Sequence, residues 1–224
     1  VDGDEVTFIK RLLTEIYPNA SFSMVSDTYD YWNLVDNILP QVKKEIMNHN
    51  GKLLVRPDSG DIIEISVKTI AHLWNIFGGT INSKGYKVLD PHIGCVYGDG
   101  VTQERAAKIY QALMDKGFAS NNIVFGAGSF SFNAIEEDGV LYPYTRDTFS
   151  IAVKATYGIV NGKEIFIFKD PKTDRDTGSG FKKSQRGLCV VHYEDGDLRC
   201  RDGYLLKDMT QKDRIYMASS LLQP

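Results

Sequence analysis

The stretch "KLLVRPDSGDIIEISVKTIAHLWNIFG" (residues 52–78) contains three structural signals in a row. The apolar run Leu53–Val55 predicts a short buried strand, and the polar residues 56–61 predict a turn. The residues that follow repeat at helical spacing, and Gly78 suits the end of a helix. The apolar face predicted for that helix consists of Ile63, Val67, Ile70, Trp74 and Phe77. A strand that leads through a short loop into an amphipathic helix is the building unit of parallel α/β sheets.

The same alternation extends over residues 1–140. Further strands are predicted within "SFSMVS" (21–26), "HIGCVYGDG" (92–100) and "NNIVFGAGS" (121–129). Further helices are predicted within "FIKRLLTEIY" (8–17), "YDYWNLVDNILPQVKKEIMNH" (29–49, interrupted at Pro40) and "TQERAAKIYQALMDKG" (102–117). In the last of these, Thr102 suits the N-cap, and Ala106, Ile109, Tyr110 and Leu113 are expected to face inward. The predicted fold class is therefore α/β with parallel strands and crossover helices.

From about residue 141 to residue 224 the pattern becomes β-rich. Hairpins are predicted to turn at Asn161–Gly162 and near Asp195–Gly196, two strong two-residue turn signals. The polar stretch between them, residues 170–187, is expected to be a mobile loop. A terminal helix is predicted over residues 211–222.

Composition and charge exclude several classes of protein. The chain has 224 residues, 42% hydrophobic and 25% charged, as in ordinary globular domains. Its net charge of −3 gives no global electrostatic reason to bind nucleic acid, so any anion site must be local. Three cysteines without paired spacing favour a reducing, cytoplasmic location over a disulfide framework. No apolar run reaches membrane-spanning length, and no membrane association is expected.

Three predicted strands end in glycine together with a polar group. "LLV" runs into Arg56-Pro57-Asp58-Ser59-Gly60, "CVY" into Gly98-Asp99-Gly100, and "IVF" into Gly126-Ala127-Gly128-Ser129. Ligands of parallel α/β folds collect at the carboxyl ends of the strands. Glycine lets backbone N–H groups approach an anion, and carboxylates accept hydrogen bonds from sugar hydroxyls or bind hydrated Mg²⁺. Together these strand ends favour a site for phosphate and sugar.

A simpler interpretation exists for each strand end. Pro-Asp-Ser-Gly is a favourable turn by itself, and aspartate is a common helix cap. Asp58 and Asp99 could therefore serve the backbone alone.

Other candidate residues carry weaker signals. Basic residues in the second part are Arg146, Lys154, Lys169, Lys182, Lys183 and Arg186, and each alone is typical of a solvated surface. Lys154 differs because it interrupts an otherwise apolar alternation. The four histidines lack metal-ligand spacing, and no metal-ligating residues are predicted.

At these residues the sequence resembles the nicotinamide phosphoribosyltransferases, which are type II phosphoribosyltransferases. The matching stretches occur in the family's order and cover most of the chain. They are "VSDTYDYWN" (25–33), "RPDSGD" (56–61), "NSKGYKVL" (82–89), "YGDGV" (97–101), "NIVFGAGS" (122–129), "TRD" (145–147) and "FKDP" (168–171).

The resemblance implies an enzyme of NAD biosynthesis that joins nicotinamide to 5-phosphoribosyl-1-pyrophosphate and releases nicotinamide mononucleotide and pyrophosphate. It implies an irregular α/β barrel, of which this chain holds the C-terminal part, followed by a β-rich region. It also implies a homodimer in the full-length protein, Mg²⁺ bound with pyrophosphate, and ATP as a candidate activator.

The resemblance also assigns residue roles. Arg56 matches an arginine at the pyrophosphate, Asp58 an aspartate at the ribonucleotide, and Asp99 with Gly98 a pair at the ribose. Arg56, Asp58 and Asp99 are the expected catalytic residues. The further substrate-binding residues implied are Gly128 and Ser129 (phosphate loop), Arg146 (phosphate), Lys154 (pyrophosphate) and Asp27 (near the base).

The chain departs from the family pattern in three places. Ser129 and Phe130 stand where the family's loop has a third glycine, and the segment before Arg146 is longer than expected. About half of the family's chain is missing, including the residues that recognise the base. We therefore expect this chain to be a C-terminal portion that has no transferase activity alone. Two alternatives remain open: a nicotinate-using enzyme, and a non-catalytic fragment or binding module that retains the fold.

Overall fold

The structure is a computed structural model that describes residues 4–138, 140–145, 148–149, 153–176 and 183–210. The described residues form two compact units. The first comprises those of Val1–Ile151 and Pro171–Ser179, and the second those of Ala152–Asp170 and Gly180–Pro224. The predicted division after residue 140 rests on the sequence pattern and stays a prediction.

The first unit contains helices and parallel strands in alternation, with two added hairpins. Its elements are α1 (Glu5–Arg11), β1 (Phe22–Val25), α2 (Tyr31–Asn33), α3 (Leu39–Gln41), α4 (Lys43–Met47), β2 (Leu53–Arg56), α5 (Ile62–Phe77), β3 (Gly79–Ile81), β4 (Lys87–Leu89), β5 (Ile93–Tyr97), α6 (Gln103–Asp115), β6 (Ile123–Phe125), α7 (Ser129–Phe132), β7 (Ala134–Glu137), β8 (Val140–Pro143) and α8 (Lys172–Asp176). A 3₁₀ helix, Ser120–Asn122, precedes β6.

Four strands form a parallel sheet in the order β1–β2–β5–β6. Leu53 pairs with Phe22 on one side and with Ile93 on the other, and Cys95 pairs with Ile123. Parallel neighbours require crossover connections, which the helices supply. The predicted α/β class and its four strands are thus confirmed. Because the strands are parallel, their carboxyl ends share one edge of the sheet.

Helix α5 has the predicted bounds, and two of its five predicted core residues, Ile70 and Phe77, are buried. Asp61 caps its start by accepting hydrogen bonds from two backbone N–H groups, and Gly78 ends it at a φ of 74°. The residues that the core buries are Ile65, Ser66, Thr69, Ile70, Leu73 and Phe77. The predicted members Ile63, Val67 and Trp74 are only partly buried, at the margin of the core. The small side chains of Ser66 and Thr69 face the core, and Thr69 forms a 2.8 Å hydrogen bond with the buried Tyr31 hydroxyl.

The segment around Pro40 is irregular, but Pro40 does not cause the break. It lies in the first turn of α3, where its missing N–H group is not needed. The irregularity consists of a π-helical segment, Leu34–Ile38, and of non-helical backbone at Val42. A similar π-helical segment, Leu12–Ile16, continues α1.

Helix α6 confirms the predicted cap and corrects one inward residue. Ile109 and Leu113 are fully buried, whereas Tyr110 is 41% exposed and lies against Phe125 with ring centroids 5.2 Å apart. The core-facing stripe of this helix is too narrow to include Tyr110. At its start, the Thr102 hydroxyl accepts a hydrogen bond of 3.2 Å from the backbone N–H of Arg105.

We expect Thr102→Ala to lower the free energy of unfolding by about 1 kcal/mol, because one backbone donor of the first turn loses its acceptor. Urea unfolding followed by circular dichroism measures this loss. Thr102→Ser keeps the acceptor and should stay close to wild type. Equal losses for both variants would contradict the capping role.

The second unit contains two antiparallel hairpins. Their strands are β9 (Tyr157–Val160), β10 (Lys163–Phe166), β11 (Leu188–Glu194) and β12 (Asp197–Tyr204), followed by a 3₁₀ helix, Leu206–Asp208. Asn161–Gly162 and Asp195–Gly196 form the turns, and all four residues have positive φ. This backbone is typical of type I′ hairpins, so both predicted turns are confirmed.

Residues 171–176 contradict the expectation of a mobile loop over this part of 170–187. They form α8 and its approach, with Pro171 and Thr173 buried in the first unit. The long segment before Arg146 forms the hairpin β7–β8. The predicted terminal helix, residues 211–222, lies outside the described residues.

The three cysteines form no disulfide, and Cys95 is fully buried on β5. Burial raises the pKa of its thiol to about 12, so it stays protonated at neutral pH. Among the described helices, none has both the length and the apolar character that crossing a bilayer requires.

Candidate active site

The candidate site lies at the carboxyl edge of the four-stranded sheet. Arg56 is the last residue of β2 and lies on the face of that strand opposite the fully buried Leu53 and Val55. Side chains alternate along a strand, so one face of β2 packs into the core while Arg56 projects from the other face. This alternation explains how a buried strand can end in a guanidinium group.

Glycines bring three strand ends close together. A Cβ atom on Gly98 would lie 3.5 Å from Nη2 of Arg56 and 3.7 Å from Cα of Gly126. A Cβ atom on Gly126 would lie 3.0 Å from Cα of Gly98, tighter than most Cβ contacts. The ends of β2, β5 and β6 therefore meet around the Arg56 guanidinium, and side chains on these glycines would crowd it.

The Arg56 side chain is held loosely by protein groups. Its Nη2 atom lies 3.7 Å from Oδ1 of Asp58, which is too long for a strong hydrogen bond. Its buried Nε atom has no hydrogen-bond partner within the described part of the chain. The side chain is 38% exposed. A guanidinium with donor capacity to spare at a strand end is suited to bind an anion.

Asp58 and Asp99 are not the caps of the helices that follow them. Asp61 caps α5, and Thr102 caps α6. Helix capping therefore does not explain the presence of these two aspartates. Asp99 is exposed, and the carboxyl of Asp58 is 26% exposed.

Negative charge converges on the end of β5. Burial raises the pKa of Tyr97, and the nearby carboxylates of Asp99, Asp58 and Asp27 raise it further. The Tyr97 phenol thus stays neutral, and the three carboxylates lie near one strand end. Carboxylates beside a guanidinium provide both acceptors for sugar hydroxyls and a donor for phosphate.

Arg105 and Ser131 link the segments that follow β5 and β6. Nη1 of Arg105 donates a 2.6 Å hydrogen bond to the carbonyl of Gly100, and the guanidinium lies 5.7 Å from the ring centroid of Phe130. The Ser131 hydroxyl donates a 2.7 Å hydrogen bond to the carbonyl of Val101. These contacts hold the Gly98–Gly100 turn against α7.

Residues 9–211 match the nicotinate phosphoribosyltransferase (NAPRTase) family. The chain belongs to this family.

Curated relatives of this chain are named nicotinamide phosphoribosyltransferase. The protein from Acinetobacter baylyi is 40% identical over 95% of this chain and 42% of its own length. The protein from Mycoplasma pneumoniae is 42% identical over 64% of this chain and 34% of its own length. The protein from Mycoplasma genitalium is 35% identical over 83% of this chain and 42% of its own length. The chain thus spans less than half the length of these relatives.

Several residues that the family resemblance singled out lie at the sheet edge. Arg56, Asp58, Gly98 and Asp99 are brought together there. Gly128 precedes α7, with open space around the position that a Cβ would take. Ser129 follows as the first residue of α7 and is exposed. The phosphate-binding role of this loop stays a prediction.

Two further predicted residues are Lys154 and Arg146. Lys154 is an exposed residue of the second unit, in irregular backbone before β9. Arg146 lies outside the described residues. Their roles in the NAPRTase family pattern stay predictions.

Asp27 is fully buried after β1, and its carboxylate faces the loop after β2. Its Oδ2 atom accepts a 2.6 Å hydrogen bond from the Ser59 hydroxyl and a 3.1 Å bond from the backbone N–H of Asp58. These contacts support the Asp58 loop. The role near the base, which the resemblance implies, stays a prediction.

Sequence reasoning missed three hydroxyl residues that support this loop. Ser26 accepts a 3.2 Å hydrogen bond from the backbone N–H of Arg56, Ser59 binds Asp27, and Thr173 binds Ser59. Ser26 lies directly after β1, and Arg56 is the last residue of β2. The position of Ser26 at a strand end could therefore have indicated its place at the site. Thr173 offered no such signal, because it lies in a polar stretch far along the chain.

Proposed function

We propose that this chain is the C-terminal part of a nicotinamide phosphoribosyltransferase. The enzyme would transfer the phosphoribosyl group of 5-phosphoribosyl-1-pyrophosphate to nicotinamide, forming nicotinamide mononucleotide and pyrophosphate in NAD biosynthesis. The observation that carries the proposal is the 40% identity with the Acinetobacter baylyi enzyme over 95% of this chain. The strand-end residues supply the chemistry that such a reaction needs.

The proposed roles follow from the charges at the sheet edge. The transition state at ribose C1 carries oxocarbenium character while charge builds on the departing pyrophosphate, as in other glycosyl transfers. Arg56 would donate hydrogen bonds to that leaving group. Asp58 and Asp99 would accept hydrogen bonds from ribose hydroxyls and hold C1 toward the base nitrogen.

Asp58 and Asp99 also fit a Mg²⁺ ion held mainly by pyrophosphate. Both carboxylates raise the pKa of the same buried residue, Tyr97, so both lie near one strand end. Within the described residues, no group of three or more His, Cys, Asp or Glu side chains could hold a metal. The substrate's own oxygens would therefore complete the ion's coordination, as is common for Mg²⁺. Bound there, the ion would neutralise charge on the leaving group.

The proposal includes the remaining features of the resemblance. The active protein would be a homodimer, and its location would be cytoplasmic, which is consistent with the free cysteines. It would need residues beyond this chain, which spans 42% of the Acinetobacter baylyi enzyme. ATP is kept as a candidate activator.

The test is an assay of the intact protein with 5-phosphoribosyl-1-pyrophosphate, Mg²⁺ and either nicotinamide or nicotinate, with and without ATP. Chromatography of the products should show nicotinamide mononucleotide. Residues 1–224 alone should form no measurable amount of it. Turnover of nicotinate in preference to nicotinamide would contradict the proposed base. Turnover of neither base would contradict the proposed function.

A further inference from the structure

Helix α8 and Pro171 dock on the loops that follow β1 and β2. The backbone N–H of Lys172 donates a 2.7 Å hydrogen bond to the carbonyl of Tyr29. Nζ of Lys172 lies 3.0 Å from Oδ2 of Asp30. The Thr173 and Ser59 hydroxyl oxygens lie 2.6 Å apart, although 114 positions separate the two residues in sequence.

The buried hydroxyl contact is the specific part of this docking. The ion pair of Lys172 with Asp30 is exposed, and exposed pairs contribute little. Thr173 and Ser59 are 9% and 3% exposed. A hydrogen bond between two buried hydroxyls is costly to break, because water does not readily replace the lost partner.

The direction of the hydrogen bonds follows from the number of protons available. The Ser59 hydroxyl donates its single proton to Oδ2 of Asp27. The Ser59 hydroxyl must then accept from Thr173. Hydrogen bonds thus run in one direction from Thr173 through Ser59 to Asp27, and we call this chain of hydrogen bonds the relay. The same Oδ2 atom also accepts from the backbone N–H of Asp58.

We propose that Thr173 is a positioning residue for the strand-end site. Its hydroxyl orients Ser59, Ser59 orients the buried carboxylate of Asp27, and that carboxylate holds the backbone of Asp58. Thr173 itself does not contact the reacting atoms. Its role is to keep the Asp58 carboxyl, beside Arg56, in one place at the edge of the sheet.

Hydrogen exchange of the intact protein tests the relay without reference to activity. Thr173→Val keeps the shape of the side chain and removes the donor. It should raise the exchange rates of amides in a peptide covering residues 56–61 about tenfold, the scale of one hydrogen bond. Thr173→Ser keeps the donor and should stay within about twofold of wild type, a change smaller than one hydrogen bond.

Thr80→Val is the matched control, because Thr80 is an exposed threonine on β3. It should leave exchange at residues 56–61 unchanged. If Thr173→Val does not fold, Thr173→Ala replaces it and removes the same donor. Two results would overturn the proposal. One is amide exchange at residues 56–61 equal to wild type in the variant that lacks the Thr173 hydroxyl. The other is equally fast exchange in Thr173→Ser and Thr173→Val.

Steady-state kinetics gives a second readout, which rests on the proposed function. Thr173→Val should lower kcat about tenfold and change KM for 5-phosphoribosyl-1-pyrophosphate less than about twofold, because misplacement affects alignment more than binding. Thr173→Ser should restore kcat. A change in KM alone would count against positioning. A wild-type enzyme without transferase activity would refute the proposed function, while the exchange result would still decide the relay.

Discussion

Replacing Asp99 by alanine in the intact enzyme should lower kcat/KM for 5-phosphoribosyl-1-pyrophosphate about a hundredfold or more. Asp99 is proposed to accept hydrogen bonds from the ribose hydroxyls, and losing a positioning group near the reacting carbon has effects of this size. Steady-state kinetics beside wild type measures the loss. Asp99→Asn should recover only part of it, because the amide keeps one acceptor oxygen but loses the charge.

The same substitution should leave stability nearly unchanged. Asp99 is exposed, and the cap of the following helix is Thr102. Exposed substitutions away from caps and cores usually change stability by no more than about 0.5 kcal/mol. Asp115→Ala is the matched control, because Asp115 is an exposed aspartate at the opposite end of α6. A clear drop in melting temperature with full activity would mean that Asp99 serves the backbone.

Arg56→Lys should cost about 2 kcal/mol or more of transition-state stabilisation. Lysine keeps the positive charge but loses the planar fork that can bind two phosphate oxygens at once. The loss corresponds to about thirtyfold in kcat/KM for 5-phosphoribosyl-1-pyrophosphate. The variant should still fold, because the ion pair of Arg56 with Asp58 is long, at 3.7 Å, and the side chain projects away from the buried core.

Arg199→Lys serves as the control for this exchange. Arg199 is exposed on β12 and lies 3.3 Å from Asp197, so it tests an arginine-to-lysine change on the surface. That variant should retain wild-type kinetics. If Arg56→Lys also leaves kcat/KM unchanged, Arg56 is an ordinary strand-end charge and the proposed pyrophosphate contact is wrong.

Local signals predicted most of the regular elements. The hairpin turns at Asn161–Gly162 and Asp195–Gly196 were predicted because their backbone needs positive φ, which few residue types adopt readily. Helix α5 was predicted because its apolar residues repeat at helical spacing. Its buried face was predicted imperfectly, because Ser66 and Thr69 are buried by contacts that hydrophobicity alone does not indicate.

The candidate site was predicted in part. Arg56, Asp58, Gly98 and Asp99 stood out because parallel strands bring their carboxyl ends to one edge. The sequence left open whether the aspartates were caps, since capping preferences are shared by many aspartates. The structure decided this question by assigning the caps to Asp61 and Thr102.

The sequence by itself determined the α/β alternation, the turns and the strand ends that carry charged and glycine residues. These features depend on side-chain periodicity and on backbone preferences, and both can be read from a few consecutive residues. Only the tertiary structure decided that Asp27 is buried against the Asp58 loop and that Thr173 reaches Ser59. Hydrogen bonds between residues far apart in sequence leave no local pattern, because their geometry exists only after the chain has packed.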